Sequence, residues 1–423
     1  MFERLAQFTG PVYIFFLAIF LAGTGLAAEV EFKYTTRPGD HLSKVSQRYM
    51  VKEKSWQDLA RHNQLPDANL IQAGITLSIP AAWLSMKSTP AILKEYSGDV
   101  KIGHLGGGWK QAKRGMPILT GQYIQLGPNS SGRLEFADQS VLTLQPNTLM
   151  QMDTLSLFAD GFMTDTKFRL QSGRIEVQAN KQKNPFQTLE VITPSAVTAV
   201  RGTQFIVEAT PSQTITQTTE GRVEVLTEKG SEWVTAGYGT MVVNGERPTQ
   251  PRTVAAAPKL DTKRTKFTQF PIEFSVGNHA NDIAYVSQAA SDEAFAKIIS
   301  EVRTDGSTIA MDIFDNGHYF LRLWSVDEQG IPSQSTLFPF EVDIKRQLIG
   351  RPIKIAKSNF SNGFIDLNLP TIKETLNYMI RLTTDAQGEY NIWHLIQPES
   401  TSIQVPKPGV DADHYYFWIY TYP

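Results

Sequence analysis

The rhythm of apolar and polar positions changes several times along this chain. Val12 to Ala22 is continuously apolar. Glu31 to Tyr34 then alternates as a short strand and stops at Pro38-Gly39, a turn pair. Leu42, Val45 and Tyr49 follow at helical spacing and give one apolar stripe. Asp40 stands ahead of that stripe and is expected to cap the helix, its carboxylate accepting from the first-turn amides. Ser55 to Asp58 reads as the start of a second helix, a capping box with Asp in place of Glu, and Trp56, Leu59 and Ala60 share its inner face. Gly74 turns the chain into a closing strand, Ile75 to Ile79, which Pro80 ends. The pattern predicts a small β-α-α-β unit over residues 31–80.

From residue 95 to 247 a period of two takes over, with short strands separated by glycine, proline and Asn129-Ser130-Ser131-Gly132. One phrase recurs three times here: Gly132-Arg133-Leu134-Glu135-Phe136, Gly173-Arg174-Ile175-Glu176-Val177 and Gly221-Arg222-Val223-Glu224-Val225. Side chains alternate across a strand, so each phrase puts Arg and Glu on one face and two apolar residues on the other. The glycine is read as the turn that starts each strand. Equivalent strands in a layered β-fold are expected, apolar faces inward and the Arg/Glu faces solvated with weak ion pairing.

Residues 248–266 hold Pro248, Pro251 and Pro258 without apolar period and read as a linker. Alternation then resumes. Asn316 to Ser333 reads as turn, strand, turn, and two stretches repeat after about 95 residues. Phe270 to Val276 parallels Phe364 to Leu369, and Asp315 to Leu323 parallels Asp411 to Ile419. Two β-sandwiches are expected, at 267–345 and 350–423, the second resting on the weaker pattern. Trp324, Trp393 and Trp418 are assigned to their cores.

At 423 residues the chain is too long for one core. Its 40 Lys and Arg nearly balance 42 Asp and Glu, with no basic block, so nucleic-acid binding has no electrostatic footprint. Cysteine is absent, which excludes disulfides, thiolate metal sites and cysteine nucleophiles. Residues 1–28 read as a signal peptide, with Arg4 ahead of the apolar run and Gly25-Leu26-Ala27-Ala28 offering small residues for cleavage. The alternative is an uncleaved inner-membrane anchor, although the strongly apolar core is shorter than the roughly 20 residues that span a bilayer.

The order Pro38-Gly39-Asp40-His41-Leu42, Trp56-x-x-Leu59-x-x-x-Asn63 and Gly74-x-x-Leu77-x-Ile79-Pro80 resembles the LysM domain, a module that binds N-acetylglucosamine-containing glycans such as peptidoglycan and chitin. That resemblance implies ligand-binding loops at Gly39, Asp40, His41 and Leu42 and at Leu70, Ile71 and Gln72. The family usually has Thr where this chain has His41. Residues 95–247 resemble the FecR domain, through Ile192-Thr193-Pro194, Val200-Arg201-Gly202-Thr203-Gln204-Phe205, Glu220-Gly221-Arg222-Val223-Glu224-Val225 and Ala236-Gly237-Tyr238-Gly239. FecR members often relay the state of an outer-membrane transporter to a cytoplasmic sigma factor. With at most ten residues before the apolar run, only the extracytoplasmic module is expected to carry over. Arg201 is assigned to a local hydrogen-bond network. Tyr319 and Asp327-x-x-Gly330 resemble the late strands of fibronectin type III and Ig-like sandwiches, which serve as spacers or partner surfaces.

Candidate chemistry is sparse. None of the seven histidines forms a His-Glu-x-x-His or His-x-His pair, and no Gly-x-Ser-x-Gly elbow is present. Gly103 to Gly108 lacks the Lys-Ser/Thr of a phosphate loop and reads as a surface turn. Asp411 and Asp413 are read as turn residues rather than a cation site. No catalytic residue, metal or cofactor is assigned, although two distant carboxylates would suffice for glycan cleavage. The expectation is a mainly β, multidomain, non-catalytic protein of the periplasm or cell envelope. A LysM-like head would bind peptidoglycan, while the FecR-like and Ig-like domains form a scaffold or bind an unidentified envelope protein. The alternatives are an envelope-state sensor or regulatory component of a signalling system and, third, a glycan hydrolase.

Overall fold

The fold is taken from a computed structural model, which describes residues 31–422 except 160–162, 181–187, 201, 278–281, 350, 362–363, 369–376, 384–391, 397–401 and 407–412. The N-terminal apolar run, Arg201, Asp411 and the side chain of Trp393 lie outside the described residues. The chain divides into two compact units, Met1–Met86 and Lys87–Pro423.

In the first unit β1 (Glu31–Thr35), α1 (Leu42–Tyr49), α2 (Trp56–His62) and β2 (Thr76–Pro80) follow the expected order. β1 and β2 pair antiparallel, with Phe32 opposite Ile79 and Tyr34 opposite Leu77. The helical stripes close on this pair, and Leu42, Val45, Leu59, Leu77 and Ile79 are buried. α2 starts with the expected reciprocal box. The Ser55 hydroxyl accepts from the Asp58 amide at 3.2 Å, and the Asp58 carboxylate accepts from the Ser55 amide at 2.9 Å. Asn63 then fastens the end of α2 to β2, donating to the Ser78 carbonyl at 2.8 Å and accepting from the Ser78 amide at 2.6 Å.

The expected cap of α1 is corrected. His41, not Asp40, occupies the N-cap position, and its side chain makes no capping hydrogen bond. The Asp40 carboxylate instead accepts from the Tyr34 hydroxyl at 2.6 Å and the Arg37 amide at 2.7 Å. A phenol brought by β1 outcompetes the helix amides because it reaches the same oxygen from a rigid strand.

In the second unit the strands between Ala91 and Thr253 pair as a closed barrel around one core. The 16-residue Met163–Gln178 strand joins its two sheets. Asp165 to Arg169 pairs parallel with Thr188–Ile192, whereas Gly173 to Gln178 pairs antiparallel with Gln204–Ala209. Gly173, at φ +102°, sits where the strand passes from one sheet to the other. Leu134, Phe136, Ile175, Val177, Val223 and Val225, the apolar positions of the recurring phrase, all enter the shared core.

The three phrases are not equivalent otherwise. Ser131–Glu135 and Gly173 to Gln178 lie in one sheet, separated by Val141–Leu144. Arg222–Thr227 lies in the other sheet. Gly173 and Gly221 have positive φ, but Gly132 is an ordinary strand residue. The expected solvated Arg/Glu face also fails at the second phrase, because a sandwich domain covers it. Residues 248–266 are no loose tether. Arg252–Thr253 pairs with the barrel strand Tyr238–Val243, and the Asp261 amide donates to Ser275 at 2.8 Å.

The first sandwich sets a five-stranded sheet, ordered Lys266–Phe267, Thr336–Val342, Gly317–Asp327, Asp282–Ala290 and Ile298–Thr304, with a pair formed by Ile272–Ser275 and Thr308–Met311. Tyr319 is buried and donates to the Asp315 carbonyl at 2.7 Å, the expected tyrosine corner. Gly330, at φ +79°, closes the Asp327 turn. The C-terminal domain repeats the plan, with a sheet containing Asn377–Thr383 and His414–Tyr422 and a separate pair of Phe364–Asn368 and Ser402–Pro406. Tyr415 is fully buried at the position matching Tyr319.

Candidate functional site

The two loops assigned to glycan binding meet at one end of the β1–β2 pair. Thr36, buried between them, holds them together. Its hydroxyl donates to the Gln72 carbonyl at 2.6 Å and accepts from the Ile75 amide at 3.0 Å. Its own carbonyl accepts from the Gly74 amide at 2.8 Å. Gly39 takes φ +84° and Gly74 φ +87°, which sets the reversal in each loop.

This lacing sorts the assigned residues. His41, Gln72 and Leu70 are exposed, Leu70 at 73%. Ile71 is half-buried. Leu42 points into the core, so it can offer a ligand only backbone groups. Asp40 acts as a brace, and its carboxyl lies below the ordinary range because Tyr34 and the Arg37 amide donate to it. In turn, burial and the bond to Asp40 push the Tyr34 hydroxyl up to about 12. Exposed amide and imidazole groups beside an exposed leucine suit a sugar, whose hydroxyls need partners and whose ring has an apolar face. Thr36 and Tyr34 were missed by the sequence reading. Thr36 follows an identical neighbour, and only the fold shows which of the two threonines faces inward.

On the opposite side of the strand pair Glu31 gathers Lys33 at 2.6 Å, His62 at 2.8 Å and the Ser78 hydroxyl. These donors, Lys33 first, lower the Glu31 pKa from 4.5 to about 2. A depressed carboxyl stabilises the fold above its ordinary pKa and loses that contribution as pH falls through the folded value. Thermal melts of residues 31–86 should therefore lose stability between about pH 4.5 and 2, and Glu31→Gln should flatten that dependence. An unchanged pH profile in the variant would remove Glu31 from the account.

The barrel and first sandwich meet across a polar seam. Arg322 pairs with Glu176 at 2.7 Å, with side-chain exposures of 13% and 25%. Arg174 lies over the Trp324 ring at 4.7 Å and pairs with Glu208 at 3.2 Å. Gln288 donates to Gln145 at 2.7 Å, and the buried Ser131 hydroxyl donates to the Ala296 carbonyl at 2.8 Å. Among the described residues no three His, Asp or Glu side chains converge in metal-binding geometry. No helix there is long and apolar enough to cross a membrane.

Residues 34–80 match the LysM domain model, and residues 122–224 match the FecR protein model. The chain carries a LysM domain and a FecR domain. No curated protein matches it significantly. A crystal structure described as an anti-sigma factor from Parabacteroides distasonis is similar at 16% identity and a TM-score of 0.27, over 31% of this chain. The chain spans 59% of that protein's length. The FN1–FN3 domains of chicken CNTN1 match at 10% identity and a TM-score of 0.17, over 50% of this chain and 89% of theirs. The extracellular domain of a B. thetaiotaomicron protein described as a hybrid two component system matches at 7% identity and a TM-score of 0.15, over 64% of this chain and 61% of that one. A LysM domain, a FecR domain and further β domains thus follow one another in a mainly β chain.

Proposed function

We propose that this chain is a non-catalytic cell-envelope protein that binds N-acetylglucosamine-containing glycan, peptidoglycan in particular, through its LysM domain. The supporting observation is the pair of loops held in register by Thr36, with His41, Leu70 and Gln72 exposed at their rim. The FecR and sandwich domains then serve as a scaffold or a surface for an envelope protein. Such a glycan lies outside the inner membrane, which places the working protein in the periplasm or envelope.

Residues 31–86 are expected to co-sediment with purified peptidoglycan, while residues 87–423 stay in solution. Thr36→Val should weaken binding roughly tenfold by unlacing the loops, about the loss of one well-made hydrogen bond. Sedimentation of the 87–423 fragment equal to that of the whole chain would move the glycan site elsewhere. The FecR domain favours a second reading, a regulator that reports envelope state to a signalling partner. A cross-linked sensor or transporter recovered from envelope extracts would support it. Cleavage is not part of the proposal. Muropeptides released by the pure protein, and lost on a single Asp or Glu substitution, would overturn the binding role in favour of hydrolysis.

A further inference from the structure

The recurring phrase sets Arg133 and Arg174 on the outward face of one barrel sheet, two strands apart. Cross-strand register continues the surface, with Arg133 opposite Thr143, Thr143 opposite Glu176, Glu176 opposite Ile206 and Ile206 opposite Gln217. These residues form one wall of a cleft of about 640 Å³, and the sandwich provides the other through Arg322, Trp324 and Ser333 to Ser335. That volume falls within the range of small-molecule sites, about 300–1,000 Å³.

Three guanidinium groups line the cleft against a single carboxylate, Glu176. The carboxylate is already engaged, by Arg322 at 2.7 Å and by the Gln145 amide at 3.1 Å. One guanidinium is left over. Arg174 pairs with Glu208 and lies over the Trp324 ring. Arg133 makes no ion pair among the described residues. Planar guanidinium groups match carboxylate and phosphate oxygens best, and an unpaired one in a cleft with excess positive charge suits an anion.

We propose that this cleft binds a small oxyanion-bearing molecule, a carboxylate or a phosphate monoester no larger than a dipeptide. The anion pairs with Arg133, while Arg174 and Arg322 add positive charge around it and the sandwich walls in the rest of the molecule. The site is separate from the LysM loops, and its ligand need contain no sugar.

The test is calorimetric titration of the whole chain at low salt with two probes. L-Alanyl-L-glutamate presents carboxylates, and glycerol 3-phosphate presents a phosphate monoester. One-to-one saturable binding of at least one is expected, and the stronger arm names the anion. Arg133→Gln should weaken it at least tenfold with an unchanged melting curve. Arg222→Gln is the control, because this equivalent arginine of the third phrase lies in the other sheet against Trp233. It should bind like wild type. Failure of both probes to bind, wild-type affinity in Arg133→Gln, or an equal loss in Arg222→Gln would each overturn the proposal.

Discussion

Gly173→Val is expected to unfold the barrel domain. The residue sits at φ +102°, where a β-branched side chain is strained by about 1–3 kcal/mol. Space is closed as well. A Cβ built there would lie 2.4 Å from the Thr148 Oγ1 and 2.5 Å from the Thr148 Cα. A hydroxyl can rotate away, but a backbone atom cannot, and forced overpacking adds about 1–3 kcal/mol or more. Together they approach the lower end of an ordinary domain's whole stability, about 5–15 kcal/mol. Gly221→Val should cost less although φ is +79°, because its nearest neighbour is the Thr203 Cγ2 at 2.6 Å, a methyl that can turn. Gly237→Ala has a similar φ of +83° with nothing within 4 Å, so only the conformational term of about 1 kcal/mol applies. Denaturant melts of residues 87–423 should rank the three in that order. A wild-type melt for Gly173→Val would mean that the strand crosses between sheets by some other geometry.

Those glycines show what the sequence made legible. A phrase repeated three times announced equivalent strands, and the apolar positions of all three do enter one core. The glycine in each phrase announced a turn, which holds for Gly173 and Gly221 and fails for Gly132, where the strand simply continues. Alternation reports which face turns away from the domain's own interior. It does not report what lies on that face. Arg174 and Glu176 therefore read as solvated, although the next domain buries them against Trp324 and Arg322.

The head was legible for a similar reason and misread for a similar one. Helical spacing, the Ser55 to Asp58 box and the Gly74 turn are local signals, and each placed its element correctly. The cap at Asp40 depended on a competitor six residues back in sequence, the Tyr34 hydroxyl. That oxygen lies 2.6 Å from the carboxylate, across the Pro38-Gly39 turn. Propensity ranks Asp as a good cap but cannot see such a partner. The substitution of His41 for the usual threonine then gains a physical meaning, since the residue at the helix start supplies no capping oxygen and its ring is left at the rim of the loops.

Arg322→Ala should separate the first sandwich from the barrel. Arg322 is 13% exposed and does several jobs at once. It pairs with Glu176 at 2.7 Å, donates to the Gln288 side chain at 2.7 Å and lies over the Phe295 ring at 4.4 Å. Truncation leaves Glu176 as a carboxylate in the seam with only the Gln145 amide for company. Breaking a buried pair from one side costs about 3–5 kcal/mol, more than the intact pair contributes, because a desolvated charge is stranded. Glu176 keeps some access to water, so the lower end of that range applies here. Glu176→Gln should cost less, since the neutral amide strands no anion and still accepts a hydrogen bond. The double variant should cost less than the two single losses added together, the signature of groups that meet. Proteolysis of residues 87–423 would reveal the separation as new cleavage near residues 248–266, where the backbone is otherwise held against both domains. If the double variant instead loses the full sum of the singles, the two side chains act independently and the seam is held by its other contacts, among them the Gln288–Gln145 and Ser131–Ala296 hydrogen bonds and Arg174 over Trp324.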